Sequence, residues 1–215
     1  FDAPGQALHI YSDNIDYDPF KPDVYNGTIL DVKNQIKLDV AAIIEQTETL
    51  AVGWNWFSIY LDAEDPVDML DMLKESLGNN AEEIQSRYYT TEFDGEEWFG
   101  DLDSRGITND EMYLIKTNNA SAIELHGTQA KVGECQIIIR KGWNWIGFPS
   151  TVAMEVSQAM ANFVPEEGDQ IQSRNKMTEY SDGEWFGDLQ ILEPGQGFMY
   201  YSNSIRNKIL VFKIN

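Results

Sequence analysis

The residues of this chain that could do chemistry are carboxylates placed around a tryptophan just after a tight turn. They are Glu96, Glu97, Trp98 and Asp101 after Asp94-Gly95, and Glu184, Trp185 and Asp188 after Asp182-Gly183. Two facing carboxylates are the machinery of glycoside hydrolysis, so Glu96 or Glu97 with Asp101, or Glu184 with Asp188, is a candidate pair. A flat indole beside carboxylates is also how proteins commonly hold a sugar ring, by stacking and hydrogen bonding.

Binding is favoured over catalysis because the arrangement occurs twice, which a catalytic pair does not need. The acids also flank a hairpin, where charge keeps a sheet edge soluble. We therefore predict no catalytic residue and a ligand site at Trp98 and Trp185, assisted by Glu96, Glu184, Asp101 and Asp188. The alternative is that both indoles pack back onto the sheet.

Other catalytic classes lack their residues. The chain has two histidines, His9 and His126, and a single cysteine, Cys135, which excludes an intrachain disulfide. It contains no Gly-x-Ser-x-Gly elbow and no phosphate-binding glycine loop. The few histidine and cysteine side chains do not form a zinc constellation, and Cys135 is predicted to be a small core residue.

A calcium site is predicted as an option near the N-terminus, where Asp13, Asp16 and Asp18 lie close together. Calcium prefers such oxygen ligands, but the EF-hand pattern is absent because its glycine and glutamate positions hold Asp18 and Val24. The alternative is that these aspartates bond their own backbone in turns. No other cofactor is indicated.

The charge balance limits the partners. With 36 acidic and 15 basic residues the net charge is −21, so nucleic acids and anionic membranes are poor partners. No stretch is long and apolar enough for a membrane span. The acidic excess indicates either a solvated surface or cation binding.

Three blocks of sequence occur twice in the same order. They are Gly53-Trp54-Asn55-Trp56 and Gly142-Trp143-Asn144-Trp145, Ile84-Gln85-Ser86-Arg87 and Ile171-Gln172-Ser173-Arg174, and the two hairpin blocks above. A duplicated unit without duplicated catalytic chemistry indicates a binding or structural module. We expect the four tryptophans of the first block to lie in the core, with both indoles of each copy on one face of a strand.

The pattern predicts an α+β fold that is predominantly antiparallel β. Two tandem repeats, residues 46–128 and 129–215, should each hold about five strands and one helix. Residues 1–45 form an N-terminal β segment that either ends an upstream domain or completes the first repeat. In the first copy the helix should run from the N-cap Asp65 to Gly78. In the second it should carry an apolar stripe from Val152 to Phe163.

The repeated blocks resemble a module common in secreted and surface-attached bacterial proteins, over about residues 46–215. That module begins with Gly-Trp-Asn and closes with Pro-Gly-Lys-Gly-Tyr. The second copy closes with Pro194-Gly195-Gln196-Gly197-Phe198, and the first departs with Asn109-Asp110-Glu111-Met112-Tyr113. The resemblance implies an extracellular or cell-surface location but no agreed biochemical role.

The sequence thus predicts a piece of a larger secreted or surface protein, with other domains of the same polypeptide as neighbours. A non-catalytic adhesion module that binds a glycan or a surface protein is the first hypothesis. A structural spacer is the second and a carbohydrate-active enzyme the third. Exposed indoles at Trp98 and Trp185 would favour the first, buried ones the second, and facing carboxylates in a deep cleft the third.

Overall fold

A computed structural model describes residues 42–213, which belong to one compact unit spanning residues 41–215. Every strand pair in this part of the chain is antiparallel, and there is one main helix. The prediction of a mostly antiparallel β protein is therefore confirmed. No helix in residues 42–213 is long and apolar enough to cross a membrane. The predicted segment 1–45 lies almost wholly outside the described residues.

The first half of the unit contains a five-stranded and a three-stranded sheet around one helix. Its elements are β1 (Ile43–Leu50), β2 (Gly53–Phe57), β3 (Leu61–Asp62), α1 (Pro66–Leu77), β4 (Ala81–Gln85), β5 (Thr90–Phe93), β6 (Trp98–Gly100), β7 (Tyr113–Thr117) and β8 (Ser121–Gln129). Short 3₁₀ turns span Gly78–Asn80 and Leu102–Ser104. The five-stranded order is β2-β7-β4-β5-β6, and the three-stranded order is β1-β8-β3.

The second half contains a five-stranded sheet with the corresponding order. Its elements are β9 (Ile137–Ile139), β10 (Gly142–Ile146), β11 (Met154–Glu155), α2 (Val156–Ala159), β12 (Gln170–Gln172), β13 (Met177–Ser181), β14 (Glu184–Gly187), β15 (Ile191–Leu192), β16 (Phe198–Ser202) and β17 (Lys208–Leu210). The order β10-β16-β12-β13-β14 matches that of the first sheet strand for strand. Two further pairs, β11-β15 and β17-β9, complete this half.

Helix α1 begins and ends as its sequence predicts. The Asp65 carboxylate accepts hydrogen bonds from the amides of Val67 (2.9 Å) and Asp68 (3.4 Å), which caps the free N–H groups of the first turn. Gly78 ends the helix at φ +54°. The apolar stripe of α1 is buried in the first core, together with the inner faces of both sheets.

The predicted helix of the second copy is reduced to a single turn, α2. Met154 and Glu155 pair with β15 instead of extending a helix, and no side chain caps the turn. Without a cap or a long stripe, a four-residue helix depends on tertiary packing. Val156 and Ala159 supply that packing in the second core, but the predicted helical run from Val152 to Phe163 is wrong.

The Gly-Trp-Asn-Trp motif folds the same way in both halves. The Asn55 amide nitrogen donates to the carbonyls of Ala51 (2.8 Å) and Gly53 (2.9 Å), and its oxygen accepts from the Ala51 amide (2.9 Å). Asn144 makes the same three bonds to Arg140 and Gly142, at 2.7, 2.9 and 2.9 Å. Each asparagine thereby closes the bend that leads into its strand.

Glycine opens the motif for a conformational reason. Gly53 has φ +89° and Gly142 has φ +84°, a region that other residues rarely adopt. The bend aims the following asparagine into the core and the tryptophans away from it. Asn55 and Asn144 are 7% and 3% exposed, whereas Trp54 and Trp143 are each 37% exposed.

The core assignment of the motif tryptophans is therefore wrong. The inward positions of β2 and β10 belong to Asn55 with Phe57 and to Asn144 with Ile146, because side chains alternate along a strand. Trp56 and Trp145 are half-buried on the same outer side as Trp54 and Trp143. The expected shared face is present, but it is the outer one.

The two halves meet in a seam of reciprocal hydrogen bonds. Ser58, which directly follows β2, donates its amide to the Gly195 carbonyl at 2.9 Å. Gly147, which directly follows β10, donates its amide to the Asp110 carbonyl at 3.0 Å. Gly195 and Asp110 stand three residues before β16 and β7, so the two bonds join equivalent positions in opposite directions.

Replacing the motif asparagine should lower the free energy of unfolding by more than the loss of a single hydrogen bond would. Asn144→Ala removes the three hydrogen bonds that the buried Asn144 amide group makes to the bend, so at about 1 kcal/mol per bond we expect about 3 kcal/mol of destabilisation. Urea unfolding measures this change. Asn118→Ala, at an exposed position, is the matched control, and equal stability of the two variants would contradict the proposed role of the bend.

The seam predicts a second stability effect. A β-carbon at Gly147 would lie 2.3 Å from the Asn109 carbonyl oxygen, so Gly147→Ala should destabilise the chain by about 1–3 kcal/mol through forced separation of the halves. Thermal unfolding measures it against Gly127→Ala, whose β-carbon would lie an ordinary 3.4 Å from Leu61. A Tm of Gly147→Ala no lower than that of the control would show that the seam tolerates extra volume.

Candidate functional site

The two hairpins hold the residues that the sequence selects as a ligand site. Each turn has the positive φ angles that its glycine favours, +105° at Gly95 and +87° at Gly183. Asp101 accepts a hydrogen bond from the Thr90 amide at 2.9 Å, and Asp188 accepts one from the Met177 amide at 2.8 Å. At equivalent places, both aspartates thus tie the last strand of the hairpin to the one before it.

The glutamates beside the turns are exposed, and the first turn is closed by another acid. Asp94 accepts from the amides of Glu97 (3.0 Å) and Glu96 (2.8 Å), and these bonds hold the pKa of Asp94 below its usual value. The Glu96 and Glu184 side chains project beside these turns. They are available to a ligand, whereas Asp101 and Asp188 are already engaged by the backbone.

Trp98 is half-buried and packs onto the first core. Its ring centroid lies 5.4 Å from that of Phe93, and the Lys74 ammonium stands 6.0 Å from it. Lys74 comes from α1 and also forms an ion pair of 2.7 Å with Asp103. The long helix of the first half therefore supplies a cation that lies close to this indole.

Trp185 is also half-buried but borders a groove. Its ring packs at 5.2 Å from Tyr180 and 6.5 Å from Tyr200. The groove has a volume of about 460 Å³, within the range of ligand pockets. Its lining combines apolar rings with polar groups, including Phe163, Tyr180, Trp185, Glu155, Glu184 and Gln190.

The outer face of the first sheet carries a row of five side chains, one from each of its strands. The register places Trp54 beside Lys116, Glu83, Glu92 and finally Phe99. Trp54 and Phe99, at the two edges, are 37% and 51% exposed. Lys116 is also paired with Glu82. The row thus has an aromatic ring at each end and charged groups between them.

The second sheet repeats this row with other polar groups in the middle. Trp143 lies beside Tyr201, Gln170, Glu179 and finally Phe186. Phe186 is 54% exposed, and the Trp143 and Tyr201 rings pack at 5.1 Å. The Gln170 amide donates to Glu179 at 2.8 Å. We call these two sets of five residues the aromatic rows.

Reasoning from the sequence overlooked the aromatic rows, although a signal was there. Phe99 and Phe186 directly follow Trp98 and Trp185, so alternation along the strand sends them to the opposite face. Asking which of the two neighbouring aromatics can face inward would have identified them. Their partners Trp54 and Trp143 are expected in the core because the same-face placement of both indoles recurs in both copies.

Among the described residues, the other side chains that could react or bind a metal are Cys135 and the exposed His126. Burial raises the pKa of Cys135 to about 12, and its thiol donates to Asn109 at 3.5 Å, so it stays protonated. His126 lies 2.9 Å from Glu124, and both stand near Glu45 on the exposed face of β1 and β8. An imidazole among the ligands does not suit calcium. The predicted calcium ligands Asp13, Asp16 and Asp18 lie outside the described residues.

One carboxyl at the seam has a perturbed ionisation. Burial raises the pKa of Glu48 from 4.5 to about 7, although a hydrogen bond from Gln46 opposes the shift. The carboxyl lies against the backbone of Gly195, where a β-carbon would come within 1.6 Å of its oxygen. Above pH 7 the Glu48 carboxyl is therefore mostly ionised in the folded chain, where its charge is poorly solvated.

Comparison with known proteins gives no relative: no family model, curated protein or solved structure matches the chain.

The raised pKa of Glu48 predicts how stability depends on pH. Between pH 4.5 and about 7 the native carboxyl holds a proton that the unfolded chain has lost, so ionisation of this group lowers stability as pH rises through that window. Glu48→Gln should therefore be more stable than the parent chain at pH 8, with a smaller difference at pH 5.

Thermal unfolding at both pH values measures this effect. Glu64→Gln, at an exposed position, is the matched control and should show no such dependence. If the difference in Tm between Glu48→Gln and the parent chain is the same at pH 5 and pH 8, the raised pKa is contradicted.

Proposed function

We propose that the chain is a non-catalytic glycan-binding module of a larger secreted or surface-attached protein. The single observation that carries the proposal is the pair of aromatic rows, which recur on equivalent outer faces of the two sheets. Exposed tryptophan and phenylalanine side chains stand at the two ends of each row, and aromatic rings are the side chains on which sugar rings stack. The sharing of this pattern by both halves supports a function of the face.

The chemistry of the rows suits a polysaccharide. The apolar face of a sugar ring stacks on an aromatic ring, and its hydroxyl groups bond to charged and amide side chains. Strands lie about 4.8 Å apart, so the outer rings of one row stand roughly 19 Å from each other. Glu83 and Glu92 fill that span in the first row, and Gln170 and Glu179 fill it in the second. An extended glycan could contact both ends of one row.

Two rows on one rigid unit would strengthen weak binding. Each stacking contact contributes little, but a second site held by the same unit binds at a high effective concentration. The two halves that carry the rows are joined by the backbone hydrogen bonds of the seam. This is a physical reason for duplicating a module that has no catalytic pair.

The groove beside Trp185 is a second contact region in the same proposal. It includes Trp185 and Glu184, which the sequence selected, and Glu155 also lines it. Because glycoside hydrolases use two carboxylates, the presence of Glu155 and Glu184 in this groove is a reason to assay hydrolysis as well as binding. Calcium binding by Asp13, Asp16 and Asp18 is part of the proposal and is tested by adding calcium or a chelator.

A structural spacer is the second candidate function. It is favoured by the half-burial of Trp98 and Trp185 and by the backbone bonds of Asp101 and Asp188. The reciprocal hydrogen bonds of the seam, which join the two halves, also suit a spacer. The exposed aromatic rows distinguish the candidates, because a spacer has no use for them.

Polysaccharide binding by the rows is tested by affinity electrophoresis against neutral soluble polysaccharides, with and without calcium. The double variant Trp54→Ala/Trp143→Ala should bind about tenfold more weakly, because losing a stacked indole removes about 1.4 kcal/mol or more. Trp185→Ala measures the contribution of the groove, and released reducing sugar reports hydrolysis.

The matched control is Ile205→Ala, which shortens an apolar side chain that is 85% exposed outside both rows. It should bind as the parent chain does. Binding that the double variant retains in full would remove the rows from the site. Absence of binding to every polysaccharide would leave the spacer as the function.

A further inference from the structure

The seam between the halves encloses two clefts at equivalent positions. The wide cleft, of about 490 Å³, is bordered by Glu48, Trp56, Arg174, Lys176 and Glu193. The narrow cleft, of about 260 Å³, is bordered by Arg87, Tyr88, Glu111, Arg140 and Trp145. Each cleft takes one wall from each half, so neither exists without the pairing of the two halves.

The equivalence of the clefts follows from their residues. Trp56 and Trp145 hold the same position in β2 and β10, and each is half-buried. Arg174 and Arg87 each stand two residues after the end of an equivalent strand, β12 or β4. A tryptophan and an arginine therefore border both clefts, although the remaining walls differ.

Each cleft holds two basic side chains beside carboxyl groups, which are Glu48, Asp188 and Glu193 in the wide cleft and Asp110 and Glu111 in the narrow one. Arg174 and Lys176 border the wide cleft, and Arg87 and Arg140 border the narrow one. Within residues 42–213 none of these four forms an ion pair with a carboxylate, whereas Lys74, Lys116, Lys131 and Lys208 do. Cations without a protein partner, collected beside an indole, fit a negatively charged ligand.

The carboxyl groups of the wide cleft are less available than the cations. Asp188 accepts a hydrogen bond from the Met177 amide at 2.8 Å. Burial raises the pKa of Glu48 to about 7, so a fraction of this group is neutral near neutral pH. Glu193 is exposed on the rim. None of the three carboxyl groups forms an ion pair with Arg174 or Lys176 in the described part of the chain.

We propose that the wide cleft binds a carboxylated sugar of a glycan, with the ring against Trp56 and the carboxylate paired with Arg174 and Lys176. The inference rests on the proposed glycan-binding function and gives it a class of ligand, an acidic polysaccharide. Guanidinium matches the planar geometry of a carboxylate with two parallel hydrogen bonds. The volume of the wide cleft lies in the usual range for a small-molecule site.

Titration calorimetry with the whole chain tests the proposal, using a tetramer of galacturonic acid and, as the uncharged probe, cellotetraose. The acidic tetramer should bind and the neutral one should bind at least tenfold more weakly. Equal affinity for the two tetramers would overturn the proposal.

The charge variant is Arg174→Gln/Lys176→Gln, and Arg206→Gln/Lys141→Gln removes the same charge from two exposed positions outside the wide cleft. The first should lose at least tenfold in affinity for the acidic tetramer, and the control should lose much less. Both should keep the parent Tm. Trp56→Phe retains a ring and should bind better than Trp56→Ala. Equal losses in the charge variant and the control would show that only overall charge matters.

The same preparations separate this proposal from the one on which it rests. If neutral polysaccharides bind through the aromatic rows but the acidic tetramer does not bind, the cleft assignment is wrong and the glycan-binding function stands. If neither binds, both are wrong. If the acidic tetramer binds and Trp54→Ala/Trp143→Ala does not weaken it, the wide cleft is a site distinct from the rows.

Discussion

The buried asparagine of the Gly-Trp-Asn-Trp motif is the interaction on which the rest of the structure depends. An amide group inside a protein is costly unless its hydrogen bonds are made, and Asn55 and Asn144 each make them to the backbone of the preceding bend. With asparagine fixed inward, alternation along the strand places both flanking tryptophans outward. The inward orientation of the two asparagines therefore places the tryptophans of the aromatic rows and of the clefts on the outer face.

The inward asparagine also sets the seam. Phe57 and Ile146 are the next inward residues, and the residues after them, Ser58 and Gly147, make the reciprocal bonds to the opposite half. Phe57 further pairs with Gln196 across the seam. The bend, the core and the contact between the halves are therefore one continuous arrangement, repeated in both copies.

Differences between the copies are complementary at this contact. A β-carbon at Gly197 would lie 2.2 Å from the Met112 side chain, and Met112 holds the equivalent position in the first half. Met112 supplies a large side chain at this contact and Gly197 supplies none, so the two residues are complementary.

The sequence by itself determined the local features: the mostly antiparallel strands, the capped helix α1 and both hairpin turns. These depend on neighbouring residues, such as the N-cap Asp65 and the glycines with positive φ. The tertiary structure decided which tryptophans meet solvent, how short α2 is, and that Arg174 and Trp56, far apart in the chain, border one cleft. A period of two shows that residues share a face, but the face that is buried depends on what packs against it.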